Sequence, residues 1–282
     1  ELQIEIGDDQ GPIVGILIAA EDPFAGRGGL DRHEVVAFLG LPAAVIARGL
    51  GAEHHPIGAG QRQRVDIVGM GCNAALNGIN AAASWVQANN GRPALVICCE
   101  INSAIHVRDD RPVTSVVNSL FGDGCGAALI TGPEEGKGPR LLGFTSQIVP
   151  AAWRAISYHW SAHHGKFELY LDKSIPDVLG EHSPTPISAL LAGFGLCRSA
   201  ITHWLVHAGG KKVISAIKEA NQLTDHDVRH SSSVLRRCGN LGSATIMFSY
   251  KELMREGVSP GDYGVVVTMG PGAQIETALL QW

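Results

Sequence analysis

Three side chains in this sequence have the chemistry to carry an acyl group: the Cys72 thiol, the His207 imidazole and the Asn240 carboxamide. Cys72 follows the apolar run VDIVG and a Met-Gly turn, and it opens the Ala-rich stretch CNAALNGINAAASWVQANN. A thiol at a helix N-terminus meets unpaired N–H groups and the positive end of the helix dipole. The position therefore predicts a lowered pKa and a strong nucleophile. The plainer reading is an inert packing cysteine. His207 ends an apolar strand pattern in HWLVHAGGKKV, before a Gly-Gly turn, where α/β proteins place functional groups. A core histidine bonded to a carbonyl fits the same pattern. Asn240, in VLRRCGNLGSATIMF, reads as a helix N-cap or as a donor aimed at a developing oxyanion. Those are two claims on one side chain. Together the three supply a nucleophile, a base and an oxyanion donor, each at a strand end or helix start in its own unit.

The elements that must position them are legible from hydrophobic period. VDIVGM, ALVICCE, GCGAALITG, LLGFTSQIV and HWLVHAGG read as strands, and YGVVVTMG with AQIETALLQW reads as a closing hairpin. CNAALNGINAAASWVQANN, KKVISAIKEANQL and NLGSATIMFSYKELMREG read as helices, the first stopped by Asn-Asn-Gly. SIPDVLGEHSPTPISALLAGFGL contains a further helix, and SVVNSLF is a polar-edged apolar segment. Before residue 65, GPIVGILIAA suggests a buried strand and RHEVVAFLGLPAAVIARGL has helical spacing. Residues 133–140, PEEGKGPR, read as a linker between halves. Recurrent strand–Gly turn–helix units predict an α/β protein with parallel or mixed sheets covered by helices.

Composition sets outer limits. The 282 residues are 45% hydrophobic and 17% charged, enough apolar mass for a large core and too few charges for a disordered chain. A net charge of −5 argues against a broad nucleic-acid footprint. No apolar run is long enough for a membrane span, and the acidic N-terminus lacks a signal peptide's basic region, so the expected setting is a reducing cytoplasm. The adjacent Cys98 and Cys99 read as small buried hydrophobes, and Cys125, Cys197 and Cys238 as packing residues, with Cys238 close enough to Asn240 to sense a cavity. His159, His163 and His164 have loose metal-like spacing but no completing carboxylate or Cys nearby, which predicts a solvated loop and no metal site. Lys211 with Lys212, and Arg236 with Arg237, could meet phosphates or simply face solvent.

Five blocks carry a resemblance: VGMGCNAALNGINAAASWV, VVNSLFGDGCGAALITG, HWLVHAGGKKVISAI, VLRRCGNLGSATIMFSY and PGDYGVVVTMGPGAQIETALLQW. In this order and spacing they resemble type III polyketide synthases, the chalcone synthase-like branch of the thiolase fold. The likeness covers nearly all of residues 65–282. It implies two similar αβα halves stacked as a five-layer αβαβα core, residues 1–133 bearing the nucleophile and 134–282 bearing His and Asn. It also implies iterative decarboxylative Claisen condensation of malonyl-CoA on Cys72, then aldol ring closure. His207 would be the thiolate's ion-pair partner and Asn240 the second oxyanion donor.

The resemblance extends to the cavity. Phe121 in LFGDG matches a gatekeeper Phe, and the family's second gatekeeper Phe falls near Leu169, a departure from the pattern. Gly209 and Gly210 follow the histidine, and Gly270-Pro271-Gly272 resembles the loop that shapes the family's active site. Residues 1–64 show neither the basic residues that contact CoA in the family nor its STG-type strand. The likeness further implies no metal or redox cofactor, CoA thioesters as substrates, no acyl carrier protein, no membrane, a homodimer, and dehydratase enzymes acting downstream. The contrasting classes are a Cys/His/Asn hydrolase, against which the GPG hairpin argues, and a non-enzymatic scaffold of the same fold.

Overall fold

The computed structural model describes residues 65–133 and 138–282, with the backbone alone of residues 13–17, 44–48 and 64. Strands β1 (Ile13–Leu17), β2 (Ala44–Arg48), β3 (Arg64–Ile67), β4 (Ala94–Glu100) and β5 (Gly124–Thr131) form one half of a sheet. β6 (Arg140–Ile148), β9 (Ile201–Val206), β10 (Tyr263–Gly270) and β11 (Gln274–Gln281) form the other half. The spatial order is β3-β2-β4-β5-β1-β6-β11-β10-β9. One antiparallel pairing, Ile13 with Arg140, joins the halves, and β9 runs parallel to β10. β7 (Ile156–Ser161) and β8 (Lys166–Leu171) make a separate antiparallel hairpin. The expected boundary between residues 133 and 134 adjoins residues outside the described ones.

Side-chain alternation shows how the layers stack. Along β9, Leu205 packs with one core cluster while Trp204 and Val206 pack with another. Along β10 and β11, Val266, Ala278 and Leu280 join the first cluster, and Val265, Val267, Ile275 and Leu279 join the second. A strand sends successive side chains to opposite faces, so this half of the sheet is covered on both sides. The first cluster also holds Val96 and Cys98 of β4 and Ala128 and Ile130 of β5. Between the two half-sheets lie helices α1 (Ala74–Ala88) and α7 (Thr245–Glu256). Ala74, Ala75, Ala82 and Ala83 of α1 are buried there, and side chains that small let a helix lie close to a sheet on either side. The second cluster is roofed by α3 (Ile175–His182), α4 (Pro184–Gly193) and α5 (Lys211–Ala220). Among the described residues, sheet, helix, sheet and helix make four layers.

Local chemistry explains the boundaries. Helix α1 ends where Asn90 and Gly91 take positive φ and the Gly91 N–H closes on the Val86 carbonyl at 2.9 Å. The single helix expected across SIPDVLGEHSPTPISALL is two, because Pro184 has no N–H with which to continue the ladder. SVVNSLF belongs to helix α2 (Pro112–Leu120). Helix α6 (Arg229–Cys238) was not anticipated; Val234 alone of its apolar side chains is deeply buried, too weak a stripe to read by period.

Two expectations are corrected. Residues 44–48, read as part of a helix, pair as a strand with β3 and β4. SYHWSAHH is β7 and its turn, not a solvated loop, and His164 Nδ1 lies 2.6 Å from a Glu168 oxygen. Among the described residues no group of His, Cys, Asp or Glu could hold a metal ion, and no helix is long and apolar enough to cross a membrane.

The outer core of the second half is close-packed, so truncation there leaves a cavity. Leu279→Ala is expected to cost about 2–5 kcal/mol, read as a lowered midpoint in urea unfolding with the slope retained.

Candidate active site

Cys72 sits in a 3-10 turn, Gly71–Asn73, that leads directly into α1. Three contacts hold this turn. Asn73, fully buried, donates from Nδ2 to the Gln274 carbonyl at 2.8 Å. Gly71 takes φ +50°, and a Cβ there would lie 2.5 Å from Pro271 Cδ. A Cβ on Gly270 would lie 2.4 Å from the Met70 carbonyl oxygen. The β10–β11 turn, Gly270-Pro271-Gly272, thus presses on the nucleophile's turn, and glycine is required on both sides of the contact. Gly270 and Pro271 make it, while Gly272 has open space around its Cα.

Asn240 lies opposite. Its Oδ1 and Nδ2 are each 4.0 Å from Cys72 Sγ. Oδ1 accepts the Gly242 N–H at 2.9 Å, where the chain enters the turn before α7. That leaves Nδ2 as the donor end, with the Gly209 carbonyl 3.4 Å away. The helix N-cap reading is corrected: Ala244 stands at the N-cap of α7, and Asn240 Oδ1 instead closes a turn on the N–H two residues ahead, leaving Nδ2 free to act as a donor. The Asn240 backbone is tied to the first half, donating to the Leu120 carbonyl at 2.8 Å and accepting from the Gly122 N–H at 3.0 Å. Phe121 is therefore held beside Asn240 as a parallel β-bridge.

His207 follows β9, which runs parallel to β10, so its end of the sheet is the Gly270 end. Its backbone N–H bonds the Val267 carbonyl at 2.8 Å. The ring lies against Gly209, with Cδ2 3.1 Å from where a Cβ on that residue would stand. The side chain is 1% exposed, and neither ring nitrogen has a hydrogen-bond partner among the described residues. A buried imidazole without partners favours a group that completes it. Gly209 thus links His207 to Asn240, while Gly210 stands near Leu120 at the rim.

Burial decides the protonation states. It pushes the Cys72 thiol up to about 12, the Glu100 charge adding to the effect and the Asn240 hydrogen bond opposing it. Burial pulls His207 down to about 4. The direction at sulfur is opposite to that expected from the helix end: burial favours the neutral form of the thiol and of the imidazole. Cys72 nevertheless keeps partial exposure, as a nucleophile must.

Two groups near the site escaped sequence reading. Glu100, the last residue of β4, is 4% exposed and accepts from the Ser243 N–H at 2.9 Å and the Ser243 hydroxyl at 2.6 Å. A carboxylate ending an otherwise apolar strand was the available signal. Tyr158 on β7 packs with Phe121 around Ile105, Val117 and Leu169, and its hydroxyl lies within electrostatic reach of Cys72 and Glu100. Leu169, opposite Tyr158 across the hairpin, belongs to the cluster that Phe121 packs against. Lys211, Lys212 and Arg236 are exposed, and Arg237 pairs with Glu252. His159 bonds Ser157 at 2.8 Å on the surface, and His163 is likewise exposed. The cysteines divide further: Cys98 is buried, Cys99, Cys125 and Cys238 are half-buried, and Cys197 is exposed, which corrects its reading as a packing residue.

A family model described as chalcone and stilbene synthases, C-terminal domain, matches residues 141–282, and one for 3-oxoacyl-(acyl-carrier-protein) synthase III matches residues 66–147. The chain is 49% identical over 247 residues to 3,5-dihydroxyphenylacetyl-CoA synthase of Streptomyces toyocaensis, covering 85% of this chain and 62% of that protein. It is 49% identical over 242 residues to the enzyme of the same name from Amycolatopsis balhimycina, covering 85% and 63%. The crystal structure of 1,3,6,8-tetrahydroxynaphthalene synthase from Streptomyces coelicolor A3(2) superposes with a TM-score of 0.71 at 30% identity, over 77% of this chain and 62% of that one. The chain spans about three fifths of the length of these relatives.

Two outcomes are expected. Gly71→Ala forces a side chain with φ near +50° into Pro271, displaces the Cys72 turn and lowers the melting temperature and the rate of Cys72 alkylation together. His207, with a folded pKa of about 4 against an ordinary 6.5, binds fewer protons folded than unfolded between those values. Its contribution to stability is complete above pH 6.5 and is lost as pH falls toward 4. The loss is on the order of 3 kcal/mol, and His207→Gln should flatten that part of the stability–pH curve.

Proposed function

We propose, from the premise that this chain belongs to the chalcone and stilbene synthase family of type III polyketide synthases, that it condenses malonyl-CoA units on Cys72. The product we infer is 3,5-dihydroxyphenylacetyl-CoA, formed by decarboxylative Claisen condensations and an aldol closure. The observation that carries this reading is the convergence of Cys72, Asn240 and the glycine beside His207 at one buried point. The 49% identity to two synthases of that product supports the product assignment. In this reading residues 1–133 contribute the nucleophile and residues 134–282 contribute His207 and Asn240.

The geometry suggests how the residues act. His207 takes the thiol proton, and the Cys72 thiolate, paired with the imidazolium so formed, attacks a malonyl-CoA thioester. The acyl group passes to Cys72 and CoA leaves with a proton. The thioester oxygen of the next malonyl-CoA then accepts hydrogen bonds from the imidazole and from Asn240 Nδ2. Loss of CO₂ leaves an enolate, whose charge those donors stabilise. One such donor lowers a barrier by roughly 3 kcal/mol, and the absence of water strengthens it. The enolate carbon attacks the Cys72 thioester, a carbon–carbon bond forms as the bond to sulfur breaks, and the thiolate so released takes the lengthened chain back from CoA, expelling CoA, before the next round. CO₂ release drives each round, so the reading needs no metal or redox cofactor and no acyl carrier protein.

In this reading Phe121 and Leu169 separate a CoA passage from the cavity where the chain grows, and their packing in one cluster with Tyr158 supports it. The remaining parts of the reading are a homodimer, a cytoplasmic setting and dehydratases acting on the product.

Incubation with malonyl-CoA alone, followed by mass spectrometry, tests the proposal. The expected product is 3,5-dihydroxyphenylacetyl-CoA; tetrahydroxynaphthalene or an alkylresorcinol would reassign the product within the family. Cys72→Ala should abolish condensation, and unimpaired product from that variant would reject the assignment. Asn240→Ala should slow CO₂ release from labelled malonyl-CoA by about 10²–10³-fold.

A further inference from the structure

Strands β4 and β5 pair antiparallel in a register that sets Cys99 directly opposite Cys125. Their neighbours Val96, Cys98, Ala128 and Ile130 point into the core, so by the two-residue period Cys99 and Cys125 share the opposite face of the sheet. Both are half-buried, open enough for a small molecule to reach. That register and the shared face make the two side chains direct neighbours across the strand pair. Opposed residues of an antiparallel pair have Cα atoms about 4.5–5.5 Å apart. A disulfide spans about 4.4–6.8 Å, so the backbone need not move for a bond to close. Cys98 next door faces the other way and cannot substitute.

We propose that Cys99 and Cys125 form a reactive dithiol, a modification site separate from Cys72, which closes to a disulfide by exchange with a small-molecule disulfide such as oxidised glutathione. The pair gives up its first proton readily, because the remaining S–H donates to the new thiolate, and Cys99 is drawn down to about 7 by that hydrogen bond. Cys99 as thiolate attacks one sulfur of oxidised glutathione and expels one glutathione thiolate. Cys125 then loses its proton, attacks the Cys99 sulfur and expels the second. Two protein thiols are oxidised to one disulfide, and one glutathione disulfide is reduced to two thiols. Glu100 and Gly124, the next opposed pair, lie beside the new bond, so it forms at the strand end nearest Ser243.

The test treats the chain with oxidised glutathione, blocks remaining thiols with iodoacetamide and maps peptides by mass spectrometry. The expected result is a peptide pair joined through Cys99 and Cys125, reopened by dithiothreitol. Cys125→Ser should instead retain one glutathione on Cys99, Cys99→Ser should give no link, and Cys197→Ser should leave the yield unchanged. Glutathione remaining on Cys99 of the unaltered chain without closure would overturn the proposal. So would modification confined to Cys72, Cys197 or Cys238.

Discussion

Asn240 ties the two halves of this molecule together atom by atom. Its backbone bonds Leu120 and Gly122 of one half; its side chain receives the Gly242 N–H of the other and turns Nδ2 toward Cys72 and Gly209. A buried amide left unpaired costs on the order of 1–3 kcal/mol, so these partners have to arrive together. The consequence is geometric. The segment holding Phe121, the glycine beside His207 and the entry to α7 are set relative to Cys72 by one residue. The GPG turn completes the arrangement by bracing the nucleophile from the far side.

The same closeness sets the electrostatics. A thiol and an imidazole withdrawn from water are both driven to their neutral forms, and the carboxylate of Glu100 reinforces the effect on sulfur. Charge is therefore expensive in this pocket until a substrate brings the group that needs it. An oxyanion donor gains from that dryness, since a hydrogen bond to a developing charge strengthens as the dielectric falls.

Face parity accounts for features that composition conceals. Adjacent Cys98 and Cys99 have the same chemistry, yet one is core and the other meets Cys125 on the outer face. In the thiolase-like α/β fold of this family, the central helices claim one face of each half-sheet. What lies on the opposite face is set by strand register, which a one-residue slip would reverse.

The sequence by itself determined the α/β class, helix α1 and its stop, the β10–β11 hairpin, and the strand ends that carry Cys72 and His207. These rest on local signals: period, small residues and glycine turns, all written within a few residues. Helix α6 and the β7–β8 hairpin were not legible, because few of their side chains are buried and no strong period marks them. Tertiary structure alone decided that Asn240 holds the Gly242 N–H while pointing a donor at Cys72, that Glu100 and Tyr158 stand within electrostatic reach of the site, and that burial raises the thiol pKa. Those outcomes depend on contacts between residues far apart in the chain, and desolvation is a property of what surrounds a group rather than of the group itself.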